Sequence, residues 1–382
     1  VATDAIVVGG GVIGLTAAWV AAGRGLDTVV VDPAPGRGAS WVAAGMLAPV
    51  TEATFGEGAL VALLVAGADR WPAFADRLGS AAGVDVGYRA SGTVAVAVDA
   101  GDRAVLDQLL AYQQSLGLPV ARLSATDCRQ LVPGLAPGIR GGVEVPGDHH
   151  VDNRRLLDAL LTAGRNAGVT VVRDRVDAIV VAADGAADGV RLAGGDVLTA
   201  GAVVVAAGAD AGRIAGVPAG VLPPVHPVKG HVVRLHGPTD RPLLERTVRG
   251  LVHGRPCYLV PRSDGSVVVG ATSEERGFDR TVQAGAVHAL LDDARTIVPG
   301  VDELVLDECV AGLRPGSPDN APFVGWTAVP RLLAAVGHYR NGILLAPLTG
   351  EAVAGLLAGE AIPPPLAAFG PDRLAGGARS AR

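Results

Sequence analysis

The sequence predicts an α/β unit wound on a parallel sheet, joined to a second unit of mainly antiparallel strands. Three observations predict it. The chain opens on an apolar strand, a glycine-rich turn and an apolar helix, AIVVGGGVIGLTAAWV from residue 5. A second β-branched run, AVVVAAG, ends in glycine at residue 208, and residues 86–98 and 222–306 favour alternating strands.

Ile6, Val7 and Val8 are apolar, β-branched and bounded by glycine, which reads as a strand buried on both faces of a parallel sheet. Gly9 to Gly14 then match G-x-G-x-x-G, a turn whose missing side chains let backbone N–H groups close on a pyrophosphate at a helix N-terminus. Gly9, Gly11, Val12, Ile13 and Gly14 are therefore candidate nucleotide-binding residues. Val12, Ile13, Leu15, Trp19 and Val20 fit a helix packed on that sheet. Residues 28–31 form the next strand and end in Asp32, spaced to accept from a ribose 2′-OH and to disfavour a 2′-phosphate. The motif alone is weak in a chain with 54 glycines. Strand, turn, helix, strand and terminal acid together specify a dinucleotide site, against the plainer reading of a glycine-rich turn in an ordinary βαβ unit.

A length of 382 residues predicts two or three domains. Aromatic residues are 3% of the chain, so the core is built from small aliphatic side chains, and the mean hydropathy of +0.38 reflects that composition. A net charge of −6 with no basic run argues against nucleic acid and anionic lipid as partners and leaves small molecules. Residues 5–23 are uncharged, but four glycines interrupt them at the turn and no basic segment precedes them, so neither a signal sequence nor a membrane span is expected. Cys128, Cys257 and Cys309 lie far apart with no C-x-x-C and no histidine at ligand spacing. Neither a disulfide framework nor a metal site is predicted, and a reducing cytoplasm fits.

Residues 33–50, PAPGRGASWVAAGMLAPV, are small enough to let backbone approach a cofactor; a tightly packed loop is the alternative. A helix over 58–78 is predicted to break near Pro72. A strand within 86–98 and a helix over 103–116 begin a different module, and 133–147 reads as Gly/Pro-rich loop. His149 and His150 read as surface or capping residues, since no third ligand is placed by sequence. Leu156, Leu157, Leu160 and Leu161 recur at helical spacing. Strands follow at 169–172 and 176–182, then a hairpin around Gly194-Gly195 and the run to Gly208 that returns to the first sheet. Strands at 231–235, 257–261 and 266–270, a helix at 284–297, loops after Arg314, a strand at 332–336 and a helix at 343–357 complete the pattern. The tail from Pro363 is predicted to be disordered at its end.

GGGVIG with Asp32, AAGML, PVKG, CYLVPR, VVGAT, AGLRPG and GHYRNGILLAP occur in this order along the chain. In that order and spacing the sequence resembles the D-amino-acid oxidase-like flavoproteins, and within them the glycine oxidases that supply dehydroglycine for the thiazole of thiamine. The resemblance implies FAD as cofactor, with Gly9, Gly11 and Gly14 at the pyrophosphate, Asp32 at the adenosine ribose and Val176 at the adenine. Ser40, Ala44, Gly45 and Met46 would lie along the pyrophosphate and isoalloxazine, and Gly208 is taken with the cofactor residues. Gly342, Ile343 and Leu344 would meet the flavin N1 and C2 carbonyl, where a helix N-terminus carries about +0.5 elementary charge. Arg314 matches the arginine that binds the substrate carboxylate, Tyr258 a phenol that adds a donor, and Arg340 a residue whose carbonyl approaches the amine.

The activity implied is oxidative deamination of glycine, and of sarcosine or small D-amino acids, with O2 reduced to hydrogen peroxide. Lys229 in PVKG is open between a place beside the flavin and a structural role. Ser273 and Pro256 stand where the family can carry methionine and histidine, which bears on pocket size. The implied division is an FAD-binding domain of 1–85, 144–221 and 311–362, a substrate-binding domain of 86–143 and 222–310, and a tail of 363–382. Homo-oligomerisation and transfer of the imine to a thiazole synthase are left open. Two rival readings remain: a dehydrogenase of the same fold, and a non-catalytic dinucleotide-binding subunit.

Overall fold

The computed structural model describes residues 3–374. Strand Thr3–Val8 lies inside the first sheet, parallel to Thr28–Val31 on one side and to Val197–Val205 on the other. Thr170–Val172 and Leu332–Val336 extend the parallel run at either side, and antiparallel Phe323–Trp326 closes one edge. Ile6, Val7 and Val8 are buried on both faces, as their unbroken apolar run requires. The hairpin around Gly194-Gly195 joins Ala187–Leu192 to Val197–Val205, and Val176–Val181 pairs with its outer strand.

Helix Val12–Ala22 packs against the last helix, Gly342–Leu357. Both are apolar on nearly every side, because each is enclosed by sheet and helices and has no face left for water. Gly350 allows their close approach: a Cβ there would stand 2.5 Å from Cγ2 of Thr16.

The second sheet runs Val305–Gly316, His226–His236, Val267–Gly270, Arg255–Pro261, Thr247–Val252, Thr93–Ala97, Gly142–Val145 and Ala121–Leu123. All its neighbours are antiparallel except Thr247–Val252 on Thr93–Ala97. Helix Ala284–Ile297 covers one face with Leu290, Ala294 and Ile297.

Several elements differ from the sequence reading. The helix expected over 58–78 is two, Gly58–Ala68 and Trp71–Ala82, meeting at 42° with Pro72 in the first turn of the second. The 133–147 stretch contains the Gly142–Val145 strand, and Val305–Gly316 runs straight through AGLRPG. Residues 311–316, grouped by sequence with the nucleotide unit, thus belong to the antiparallel sheet. His149 and His150 pair with Met46–Leu47; His149 is half-buried, but His150 is not at the surface: it is buried, its pKa pushed down to about 3 by desolvation. In the tail, Pro364–Phe369 forms a 3₁₀ turn that buries Leu366 and Phe369, while the expected terminal disorder lies outside the described residues. No single described helix is long and apolar enough to cross a membrane.

Candidate active site

A cleft of about 640 Å³ runs from the first turn to the edge of the second sheet where His226–His236 and Val305–Gly316 pair. At its nucleotide end Gly9 has φ +110°, and a Cβ would stand 2.4 Å from the Ala206 carbonyl oxygen. Gly11 faces open space: a Cβ there would have Ser40 Oγ at 3.5 Å and no other atom within 4 Å beyond its chain neighbours. The first helix has no capping side chain at Gly11, although Val12 N–H donates to Ser40 Oγ at 3.1 Å. The Asp32 carboxylate accepts from Gly10 N–H and Ala34 N–H, both at 2.7 Å, and lines the same wall as Val176 and Gly208. An uncapped helix end and a side-chain-free cradle fit a dinucleotide pyrophosphate.

Midway, Ala44, Gly45 and Met46 line the cleft opposite Gly342 and Ile343. The loop is held from behind by Asn153, whose Nδ2 donates to the Ser40 and Trp41 carbonyls at 2.8 and 2.9 Å. Buried Arg262 donates to the Ala44 carbonyl at 2.6 Å, and Arg234 to the Ala43 carbonyl at 3.3 Å. The last helix begins at Gly342 with no side-chain cap, and its first residues, Gly342 and Ile343, line the same space. His338 lies just before it, neutral because burial drives its pKa to about 3, with Nε2 3.0 Å from Thr349 Oγ1.

At the far end Tyr258, Arg314, Arg340 and Glu52 share the wall. The Arg314 guanidinium lies over Gly230, where a Cβ would be 2.2 Å from Nη1. Its protein hydrogen bond goes to the Thr272 carbonyl at 3.1 Å, and among the described residues no carboxylate comes within ion-pair distance of it. Tyr258 packs across Gly270, and burial raises its pKa while Arg314 opposes the rise, so the phenol stays a neutral donor. Glu52 is paired with Arg249 and lies 3.5 Å from Arg340 Nη1. Burial pushes the Glu52 pKa up, but Arg249 and Arg340 outweigh it and the net shift is downward.

Two named residues do not reach the cleft. Gly14 serves packing, since a Cβ would stand 1.9 Å from the Gly9 carbonyl oxygen. Leu344 is buried in the core and its carbonyl accepts from Trp71 Nε1–H at 2.9 Å. Pro256 and Ser273 are exposed and do not line the cleft, so they do not set its width. Lys229 is fully buried on the opposite face of its strand from Gly230, paired with Asp279 at 2.6 Å. Sequence reasoning missed Glu52 and Arg249, which stand 197 residues apart and offer no local pattern.

Fold and cleft together define a dinucleotide-binding protein. The chain belongs to the DAO family of FAD dependent oxidoreductases, which it matches over residues 4–356. It is 34% identical to a glycine oxidase of Geobacillus kaustophilus, over 93% of this chain and 92% of that one. It is 31% identical to the bifunctional protein ThiO/ThiG of Synechocystis, covering 97% of this chain but 54% of that one. The crystal structure of glycine oxidase from Geobacillus kaustophilus superposes with a TM-score of 0.87, covering 96% of this chain and 97% of that one.

Proposed function

We propose that the protein oxidatively deaminates glycine, and with it sarcosine or small D-amino acids, using FAD and passing electrons to O2. The observation that carries the substrate class is Arg314, a cleft-facing guanidinium with a carbonyl to orient it and, among the described residues, no carboxylate to occupy it. Its planar fork suits the two oxygens of an amino acid's carboxylate, and Tyr258 supplies a further donor. Glu52 and the Arg340 backbone flank the space left for the amine. Glycine and its relatives follow from the similarity to glycine oxidases.

In this reading Gly9, Gly11, Val12 and Ile13 hold the pyrophosphate and Asp32 the adenosine ribose, with Val176 and Gly208 nearby. Ser40, Ala44, Gly45 and Met46 line one side of the ring system, and Gly342 and Ile343 bring the positive end of the last helix to the other. Bound FAD supplies the two-electron acceptor that O2 regenerates, yielding hydrogen peroxide. The chain's own task is to bind the carboxylate, leave the amine free to lose its proton and aim the α C–H into the cleft. Loss of hydride and a proton leaves the imine, which water converts to glyoxylate and ammonia.

The first sheet and the last helix form the FAD-binding unit in this reading, and the antiparallel sheet forms the substrate unit. The bifunctional ThiO/ThiG relatives support handing the imine to a partner enzyme, which the sequence resemblance identifies as a thiazole synthase. Three free cysteines suit the reducing cytoplasm.

Hydrogen peroxide formed per glycine consumed under air tests the electron acceptor. One equivalent supports the oxidase. Turnover seen only with an added dye or quinone would assign a dehydrogenase, and bound FAD with no amine turned over would assign a binding subunit.

A further inference from the structure

Lys229, the chain's single lysine, lies beneath the cleft wall. Gly230 and Val232 face the cleft, so alternation turns Lys229 and His231 to the rear of the same strand, where they are 0% and 1% exposed. There they meet the segment that follows strand Val267–Gly270. Lys229 Nζ donates to Asp279 Oδ2 at 2.6 Å and to Gln283 Oε1 at 2.8 Å. His231 Nε2 lies 2.9 Å from the same Gln283 oxygen, and its Nδ1 lies 2.7 Å from Thr272 Oγ1 and 3.2 Å from Glu274 Oε1. Backbone bonds between Lys229 and Glu274 run in both directions, at 2.8 and 2.9 Å. The segment is thus pinned at Thr272, Glu274, Asp279 and Gln283, all from one strand.

Thr272 is also where the segment touches the site, because its carbonyl accepts from Arg314 Nη1. We propose that Lys229 and His231 are positioning residues for substrate binding: from behind the sheet they fix residues 272–283, and the Thr272 carbonyl so held sets the plane of the Arg314 guanidinium. This rests on Arg314 as the carboxylate-binding group. A fork binds both oxygens of a carboxylate only when its plane matches, so an arginine free to roll loses one of two charge-assisted bonds. A buried lysine with a carboxylate and an amide partner is a rigid anchor, since its stem has no room to change rotamer. The arrangement also accounts for a buried charge that the oxidation itself does not use.

Acetate, a carboxylate without an amine, isolates this step. Its affinity is read from the change in flavin absorption of the FAD-loaded enzyme, beside glycine KM and kcat. Lys229→Met is expected to raise the acetate Kd and the glycine KM about tenfold, with kcat within twofold and FAD content per chain unchanged. Lys229→Arg is expected to restore most of the affinity. Asp279 is a third exposed, so Asp279→Asn tests the same anchor from its solvent side and keeps an amide oxygen to accept from Lys229 Nζ, with about a threefold rise expected. Arg314→Ala, measured alongside, separates the two claims. Loss of acetate binding in Arg314→Ala with wild-type affinity in both Lys229→Met and Asp279→Asn overturns the proposal alone. Wild-type affinity in Arg314→Ala overturns the carboxylate assignment and this proposal with it. If Lys229→Met does not fold, Asp279→Asn decides.

Discussion

Glu52 and Arg249, far apart in sequence, form an ion pair at the substrate end of the cleft, and Arg340 flanks the same carboxylate at 3.5 Å. The pair has little access to water, with 12% of the Glu52 and 18% of the Arg249 side chain exposed. Removing one partner of such a pair strands the other's charge, at a cost of about 3–5 kcal/mol. Glu52→Gln should therefore lower the free energy of unfolding by about that amount, read from urea denaturation of the FAD-free protein. An unchanged midpoint would mean that solvent reaches Arg249.

Asp148 predicts a stability that depends on pH. It is fully buried and accepts from Val50 N–H and from the Thr51 N–H and hydroxyl. Burial pushes its pKa up to about 6, with the Thr51 and Val50 bonds opposing, against an ordinary 3.8. Between those values the folded chain keeps a proton that the unfolded chain has released. The contribution is complete below pH 3.8 and is lost as pH rises through about 6. Thermal unfolding of wild type and Asp148→Asn should therefore diverge in the variant's favour from pH 4.5 to 7.5. A constant difference would contradict the raised pKa.

Much of the nucleotide half was legible in the sequence because its signals are local. The strand–turn–helix at residue 9, the strands at 28–31 and 332–336 and the helix ending at Leu357 all follow from short apolar runs and glycine. The Val305–Gly316 strand was not legible, because its first residues are exposed, its inner ones mixed, and its form is imposed by the long pairing with His226–His236. Glu52, Arg249 and the Lys229 anchor were hidden for a related reason: each interaction closes a long loop, and sequence periodicity carries no trace of it. Lys229 could be named from PVKG, but only the side-chain alternation around Gly230 decides which face it takes.

Asn153 gives a prediction for the cofactor. It holds the Ser40 and Trp41 carbonyls and accepts from Arg262 and Arg234 through Oδ1, at 3.2 and 3.3 Å. Asn153→Ala removes the side-chain donor to the Ser40 carbonyl and one of several partners of the Trp41 carbonyl, Arg262 and Arg234, a total cost of about 1–3 kcal/mol. If that cost falls on the loop that faces the cofactor, the FAD Kd rises about ten- to a hundredfold by fluorescence titration. Wild-type affinity would show that the loop holds its shape unaided.

Tyr258→Phe keeps the ring over Gly270 and removes one donor from the cleft. A neutral donor contributes about 1 kcal/mol, so glycine KM should rise about fivefold with FAD affinity unchanged. No change in KM would place the substrate away from the phenol.

Arg314 carries the central claim. Rapid anaerobic mixing of FAD-loaded enzyme with increasing glycine measures the rate of flavin bleaching against substrate concentration. Wild type should bleach with saturation, whereas Arg314→Ala, with FAD still bound, should need at least a hundredfold more glycine, a loss of about 3 kcal/mol or more. Bleaching by Arg314→Ala at the wild-type rate and half-saturation would contradict the account.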